Sequence, residues 1–349
     1  MSILTEYNYQ DREEWNRIVR SFKNYDVFYL NEYVTAFMKE DPENGIPLLL
    51  LYESGNDRAM NVVFRRDVAK DKKFQGKIEE DSYFDLITPY GYGGFWGNVE
   101  NWDDLNKTYH KYCQENGYIC EFVRFELFST YRKYYAGDVE TRTHNVVRNL
   151  EIPLDDIWMD FKQKVRKNVK RATKNGLQII VENTNEHLKD FLDIYYSTMD
   201  RCDAQNSFFF SKDFFEEITL MNENIMYFYA VYDEKVVSAE LVIYGSDNCY
   251  SYLGGTNSEY FSVRPNDFLK YEIIKWAKEK GLKNFVLGGG YGSDDGIFQY
   301  KTCLAPKGIV DFYIGKKIFA PAIYQQLVNL RSAERPSCSS SDFFPQYRV

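Results

Sequence analysis

Apolar and polar positions follow two rhythms along this chain, and one order of rhythms occurs twice. In the first occurrence PLLLLYE (47–53) is a continuous apolar run that ends at Ser54-Gly55-Asn56-Asp57. An apolar run bounded by turn residues predicts a buried strand. A second strand is expected near 60–64 and a third over 83–88, with Gly91, Gly93 and Gly94 just after it. Residues 102–116 then carry apolar side chains at helical spacing, Gly117 stops them, and YICEFVRFELF (118–128) reads as a closing strand.

The second occurrence begins at IMYFYAVYDE (225–234), continues with AELVIYG (239–245) and reaches CYSYLGG (249–255) with its glycine pair. Pro265-Asn266 introduces a helix, DFLKYEIIKWAKEK, which Gly281 stops, and LKNFVLGGG (282–290) closes the series. Proline near a helix start and glycine just past its end are strong boundary signals. Leu269, Ile273, Ile274, Trp276 and Ala277 fall on one face at helical spacing. The two series predict an α/β (α+β) fold of two related domains, over 1–149 and 150–335, followed by a Ser-rich tail at 336–349. A single α/β domain with coincidental spacing is the alternative. A chain of 349 residues is too long for one ordinary core and suits two.

Between the series lies a segment of different character. Residues 157–176 read as one helix with Ile157, Phe161, Val165, Val169 and Ala172 as its apolar stripe, and Asp155 and Asp156 are N-cap candidates. Its other face carries Lys162, Lys164, Arg166, Lys167, Lys170, Arg171 and Lys174, with no acid from Phe161 to Asn175. This is either a solvated cationic face or a patch for a polyanionic substrate, with Arg166 and Lys170 as phosphate-holding candidates. A strand (LQIIVEN) and a helix (NEHLKDFLDIYYSTMDRC) follow. The aromatic residues that close the tail are expected to dock on the folded chain.

Charge and composition narrow the chemistry. The net charge of −9 argues against a general binder of double-stranded DNA. The 30 Tyr and 26 Phe suggest pockets lined by hydrogen-bonding rings. Six cysteines without a Cys-x-x-Cys read as reduced thiols of a reducing compartment rather than zinc ligands. The polar N-terminus does not read as a signal peptide, and no apolar run approaches the roughly 20 residues that span a bilayer. A cytoplasmic location, with at most peripheral membrane contact, is expected. The three histidines, His110, His144 and His187, form no evident nucleophile–base arrangement, so an acyl-enzyme hydrolase is disfavoured. Neither YGYGG (90–94) nor GGGYG (288–292) has the pattern of a phosphate loop; these glycines serve tight turns or line a pocket.

Several runs together resemble one family. KVRKNVKRATKNGL, YYSTMDRCDAQNSFFFSKDFF, AVYDEKVVSAELVIY, YSYLGGTNSEYFSVRPNDFLKYEIIKWAKEKGLKNFVLGGG and FQYKTCLAP are similar, in order and spacing, to the Fem-type aminoacyltransferases of the wider GCN5-related N-acyltransferase (GNAT) fold. DLITPYGYGG also resembles the N-terminal half of some members. The resemblance implies two tandem GNAT-like domains, each a mixed, mostly antiparallel sheet flanked by helices, with the chemistry in the second. It implies transfer of an acyl or aminoacyl group onto an amine of a cell-envelope or polysaccharide precursor, such as a peptidoglycan precursor. Lys301 matches the family's lysine, Tyr252 its pocket tyrosine, and Tyr300 the aromatic residue before the lysine. Lys301 and Tyr252 are thus the catalytic candidates, with surface and core-filling roles as their alternatives. Both could stabilise the oxyanion formed when an amine attacks an ester or thioester. Tyr300, Asn266, Tyr90 and Arg201 join Arg166 and Lys170 as substrate-binding candidates, Arg201 replacing an arginine that relatives place before the aromatic run at 208–210.

The implied donor is aminoacyl-tRNA or acyl-CoA, with no bound cofactor and no metal. The acceptor is a phosphate-bearing small molecule or lipid-linked precursor. Where acetyl-CoA enzymes have a glycine loop for the donor pyrophosphate, this chain reads SVRPNDFL, which lacks glycine and loses one backbone donor at Pro265. That disfavours acetyl-CoA. A CoA-dependent acyltransferase for an amino sugar or small amine is the second reading, and a non-catalytic module that binds precursor is the third.

Overall fold

The computed structural model describes residues 2–290, 295–335 and 342–349. Strand β1 (Ile3–Asn8) is followed by α1 (Arg12–Arg20), α2 (Asn31–Glu40), β2 (Ile46–Ser54), β3 (Asp57–Asp67), β4 (Phe84–Ile87), β5 (Trp96–Asn98), α3 (Trp102–Glu115), β6 (Tyr118–Arg124) and β7 (Asp138–Asn149). Then come α4 (Leu154–Asp160), α5 (Gln163–Lys174), β8 (Gln178–Glu182), α6 (Leu188–Arg201), α7 (Lys212–Thr219), β9 (Ile225–Tyr232), β10 (Lys235–Tyr244) and β11 (Asn248–Thr256). The chain ends with α8 (Pro265–Glu279), β12 (Asn284–Gly288), α9 (Gly296–Leu304), β13 (Ile309–Ile318) and α10 (Pro321–Glu334).

Two compact units result. One comprises residues 1–22, 28–142 and 312–349, the other 23–27 and 143–311. The units therefore do not follow the linear division at 149/150 and 335/336. Residues 312–335, expected with the second domain, belong to the first unit, because β13 from Ile314 to Ile318 pairs antiparallel with β6. Residues 143–149 belong to the second, where β7 pairs antiparallel with β12.

Each unit has the same sheet logic. In the first, β1–β2–β3–β4 pair antiparallel in sequence order, and β4 pairs parallel with β6. In the second, β8–β9–β10–β11 pair antiparallel and β11 pairs parallel with β12. The parallel pair needs a crossover, which α3 supplies in one unit and α8 in the other. The sheets are thus mixed and mostly antiparallel, with helices packed on them. The β2 run is apolar throughout because both faces are covered: Leu48 to Tyr52 are all buried. The β9–β10 turn holds Asp233 and Glu234 at φ 50 and 58, the paired positive angles that a tight hairpin requires.

The basic segment is two helices rather than one. Phe161 and Lys162 are extended (ψ 142 and 145), which separates α4 from α5. The break sinks Phe161 into the core and lets the Lys162 amide donate to the Cys303 carbonyl at 3.0 Å. The Arg166 guanidinium donates to the freed carbonyls of Met159 (2.8 Å) and Phe161. Pro153, not Asp155 or Asp156, occupies the N-cap of α4, and those two acids sit in its first turn. On α5, Val165, Val169 and Ala172 are buried, and the lysines face outward.

The closing aromatics do dock, on the first unit. Tyr347 is fully buried against Phe74 and Tyr324, and Arg348 pairs with the buried Asp85 at 2.6 Å. The serine run at 336–341 lies outside the described residues.

Candidate active site

The second unit contains a cavity of about 660 Å³ where two strands part. Strands β11 and β12 pair only over 248–250 and 284–286. Beyond Tyr250, β11 continues to Thr256 without its parallel neighbour, and the β10–β11 register shifts between Leu241 and Val242. Ser251 to Thr256, the end of α6, the start of α8 and the start of α9 line the opening.

Lys301 projects from α9 into this space. Its ammonium donates to the Gly289 carbonyl at 2.6 Å. Burial, and then repulsion from Lys270, pushes its pKa down to about 8, while Glu240 and Asp295 pull the other way. The glycines beside it have separate reasons. Gly288 has φ 81, and a Cβ there would stand 3.3 Å from the Lys301 nitrogen. A Cβ at Gly289 would come within 2.8 Å of the His144 carbonyl. The rest of that glycine run, from Tyr291 to Asp294, lies outside the described residues.

A buried network lies behind Lys301. The Lys270 ammonium donates to Glu240 Oε1 at 2.6 Å and to Ser251 Oγ at 2.5 Å. Lys270 and Glu240 are both buried, so the pair is held in a low-dielectric setting. Tyr300 lines the cavity too. Its hydroxyl is buried and has no hydrogen-bond partner among the described residues, and burial pushes its pKa well up, so it stays a neutral donor. Tyr252 stands half-buried in the β11 wall.

The mouth carries two arginines. Arg201 donates to the Thr256 carbonyl at 2.9 Å and lies 5.2 Å from the Phe261 ring centroid. Arg264 precedes α8 at φ 64, and its Nε is buried without a partner among the described residues. Asn266 lines the cavity in the first turn of α8. Next to it, Asp267 is buried, accepts from Asn168 at 2.9 Å, and has its pKa raised by burial. Proline and a carboxyl group at this helix start leave little for a pyrophosphate to bind.

Lys301, Tyr252, Tyr300, Arg201 and Asn266 therefore share one cavity. Arg166 and Lys170 are not in its wall: Arg166 is committed to the end of α4, and Lys170 is exposed, 6.0 Å from the Trp158 ring. Tyr90 belongs to the first unit, where its ring stacks on Phe37 at 5.5 Å and its carbonyl accepts from Tyr33. The glycine pair at 254–255 lies within β11 and forms no turn. A Cβ at Gly255 would meet Thr198 Oγ1 at 2.3 Å, so glycine here lets α6 close on the strand.

The sequence reading missed Glu240, Lys270, Arg264 and Cys202, all in the cavity wall. Glu240 left a signal, as the one acid inside the apolar run AELVIYG. Lys270 left another, wedged among the buried α8 residues Leu269, Ile273 and Ile274. The five described cysteines are free thiols. Among the described residues, Glu182, Glu186 and His187 place possible ligand atoms within 4.8 Å of one another. His187 Nδ1 and its amide are already bonded to Glu182 at 2.8 and 3.0 Å, at the start of α6.

Known proteins resemble both the site-bearing unit and the whole fold. Residues 159–302 match the acetyltransferase (GNAT) domain family. The lipid II:glycine glycyltransferase of Staphylococcus haemolyticus (strain JCSC1435) is 26% identical over 102 residues, covering 29% of this chain and 24% of that protein. The match thus spans about a quarter of that relative's length. The crystal structure of FemX superposes with a TM-score of 0.67 at 13% identity, over 93% of this chain and 99% of FemX. L-PGS from Bacillus licheniformis gives 0.57 at 12% identity, over 94% and 98%. The paired sheets and these likenesses together show a fold of two GNAT-like halves, shared with FemX and L-PGS, of which the second carries the GNAT domain match.

Proposed function

We propose that this chain transfers an acyl or aminoacyl group onto an amine of a cell-envelope precursor. One observation carries the reading: a buried lysine with a pKa near 8 and two tyrosines line the cavity that opens where β11 leaves β12. The acceptor amine attacks the donor's ester or thioester carbonyl, and the new C–N bond forms as the carbonyl π pair moves onto oxygen. The Lys301 ammonium and the Tyr252 hydroxyl stabilise that oxyanion. Collapse expels the donor's alkoxide or thiolate, which takes the proton released by the amine. No protein nucleophile is needed when both substrates are held together.

Aminoacyl-tRNA is the favoured donor: the blocked start of α8 disfavours a CoA pyrophosphate, and the name of the glycyltransferase relative supports transfer of an aminoacyl group. That name also supports a lipid-linked or other phosphate-bearing peptidoglycan precursor as acceptor. Arg201 and Arg264 supply the positive charge for a phosphate. Arg166 and Lys170 hold phosphate only if the substrate extends beyond the cavity, and Tyr90 only if it reaches the first unit. In this reading the reaction is cytoplasmic and metal-independent, as the sequence resemblance implies. Among the described residues no helix is long and apolar enough to cross a membrane. A CoA-linked donor is the second reading, favoured by the acetyltransferase family match.

The test offers the purified chain charged tRNA or acetyl-CoA beside candidate amines. Product with charged tRNA supports the first reading and product with acetyl-CoA alone the second. Tight precursor binding without turnover identifies a binding module. With a working donor, Lys301→Met is expected to lower kcat about 10²–10³-fold. Turnover within a few-fold of wild type overturns the oxyanion role.

A further inference from the structure

The cationic helix α5 takes no part in the cavity wall. Val165, Val169 and Ala172 hold it on the core. Lys167, Lys170, Arg171 and Lys174 stand at i, i+3, i+4 and i+7 on the opposite side, in a row roughly 10 Å long. All four are exposed, as is Lys162 at the helix start. Among the described residues none of these five side chains pairs with an acid. Lysines on other helices do: Lys111 lies 3.7 Å from Glu115, Lys189 2.9 Å from Asp193, and Lys212 2.7 Å from Glu216.

Helix stability does not explain these charges. The macrodipole favours acids in the first turn of α5, yet that turn has none and begins with Lys162 and Lys164. Lys164 is partly accounted for, since it opposes the burial that raises the pKa of Asp267. Arg171 and Lys174 suit the last turn, but they repel Lys167 and Lys170 one turn away. The whole chain has a net charge of −9, so the concentration of cations is local. An external polyanion would relieve the repulsion.

We propose that the outer face of α5 docks on the surface of an anionic lipid bilayer. A cluster of about four to eight lysines and arginines on a helix suits such attachment. The flank favours lipid over nucleic acid. Met159, at the end of α4, is 66% exposed, and its carbonyl accepts from Arg166, which sets it beside the cationic row. An exposed thioether gains by entering a headgroup layer and gains little against a phosphate backbone. Surfaces for single-stranded nucleic acid add rings on which bases stack. Trp158 is half-buried between Tyr271 at 5.0 Å and Phe161 at 6.1 Å, so its ring is not free for that. Four of the five cations are lysines, point charges that suit a fluid headgroup layer better than a fixed phosphate geometry. Asp160 is held by Arg148 at 2.7 Å, and the exposed Asp155 and Asp156, a turn before Met159, bound the face. The inference stands whether or not the proposed transfer reaction does.

Vesicle flotation tests the face on the full chain. Vesicles of phosphatidylcholine and phosphatidylglycerol in equal parts should bind the protein at low salt and release it as salt rises. Vesicles of phosphatidylcholine alone should not bind it. The triple variant Lys167→Gln, Arg171→Gln, Lys174→Gln should weaken binding to the anionic vesicles about 10²-fold. Lys167→Arg with Lys174→Arg keeps the charge and should keep the binding. The triple variant Lys189→Gln, Lys212→Gln, Lys235→Gln changes the net charge equally at other exposed positions and should stay within a few-fold of wild type. No binding to the anionic vesicles overturns the proposal, as do equal losses in the two triple variants. Loss of binding to uncharged tRNA but not to vesicles in the α5 variant would overturn it in favour of nucleic acid.

Discussion

At the residue scale, Lys301 combines two demands that oppose each other. To stabilise an oxyanion it must be charged, yet burial and the Lys270 ammonium disfavour that charge and bring its pKa down to about 8. The ammonium form therefore predominates at neutral pH and is lost as pH rises through about 8. If it is the active form, kcat should fall over that window. The neighbours set where the fall lies. Glu240→Gln removes an attraction and should move the alkaline limb to lower pH. Lys270→Met removes a repulsion and should move it up. Opposite shifts in the two pH–rate profiles would tie the limb to Lys301, whereas an unmoved limb in both variants would assign it to another group. Lysine and tyrosine were legible here as residue types set by resemblance. The tuning pair was not, because Lys270 and Glu240 lie 30 positions apart and meet only when α8 packs over the sheet.

At the element scale, small residues decide how closely segments approach. Gly255 lies in β11, and a Cβ there would stand 2.3 Å from Thr198 Oγ1 and 2.8 Å from the Ile194 carbonyl. Gly255→Ala should therefore push α6 off the strand, with a cost of about 1–3 kcal/mol measurable by denaturant unfolding. Because α6 also carries Arg201 to the cavity, the variant should raise KM for a phosphate-bearing substrate more than it lowers kcat. Gly176 is the contrast: nothing lies within 4 Å of a Cβ there, and its φ of 79 is what calls for glycine. The break between α4 and α5 was also hidden, since IWMDFKQKVRKNVKRATK (157–174) keeps helical spacing on both sides of Phe161. Burying that ring and bonding Lys162 to Cys303 outweighed local helix propensity.

At the scale of the whole molecule, the last residues complete the first unit. Asp85 is fully buried and held by Arg66 and Arg348, each at 2.6 Å. Burial alone would raise its pKa, but the two guanidinium groups outweigh burial and lower it. A carboxylate with a depressed folded pKa contributes stability above its unfolded value, near 4, and loses it as pH falls. Arg348→Met should destabilise the chain on the order of 3 kcal/mol at pH 7. The difference from wild type should shrink as pH falls below about 4. Thermal unfolding across pH would show it, and a difference that stays constant with pH would exclude the Asp85 pair as its source.

The sequence by itself determined the strand series, their order and the bounding turns. Apolar period and glycine or proline punctuation are local properties, so the doubled α/β pattern and α8 with its stripe could be read directly. Three things needed the tertiary structure. Strands β7 and β13 join sheets that their positions in sequence do not suggest, because pairing depends on which edges are open. The basic helix, the clearest charge signal in the chain, stands outside the cavity wall, because its buried stripe sets which way its lysines face. The charge state of Lys301 was decided by groups that folding brought together, since a pKa depends on burial and on neighbouring charge rather than on sequence spacing.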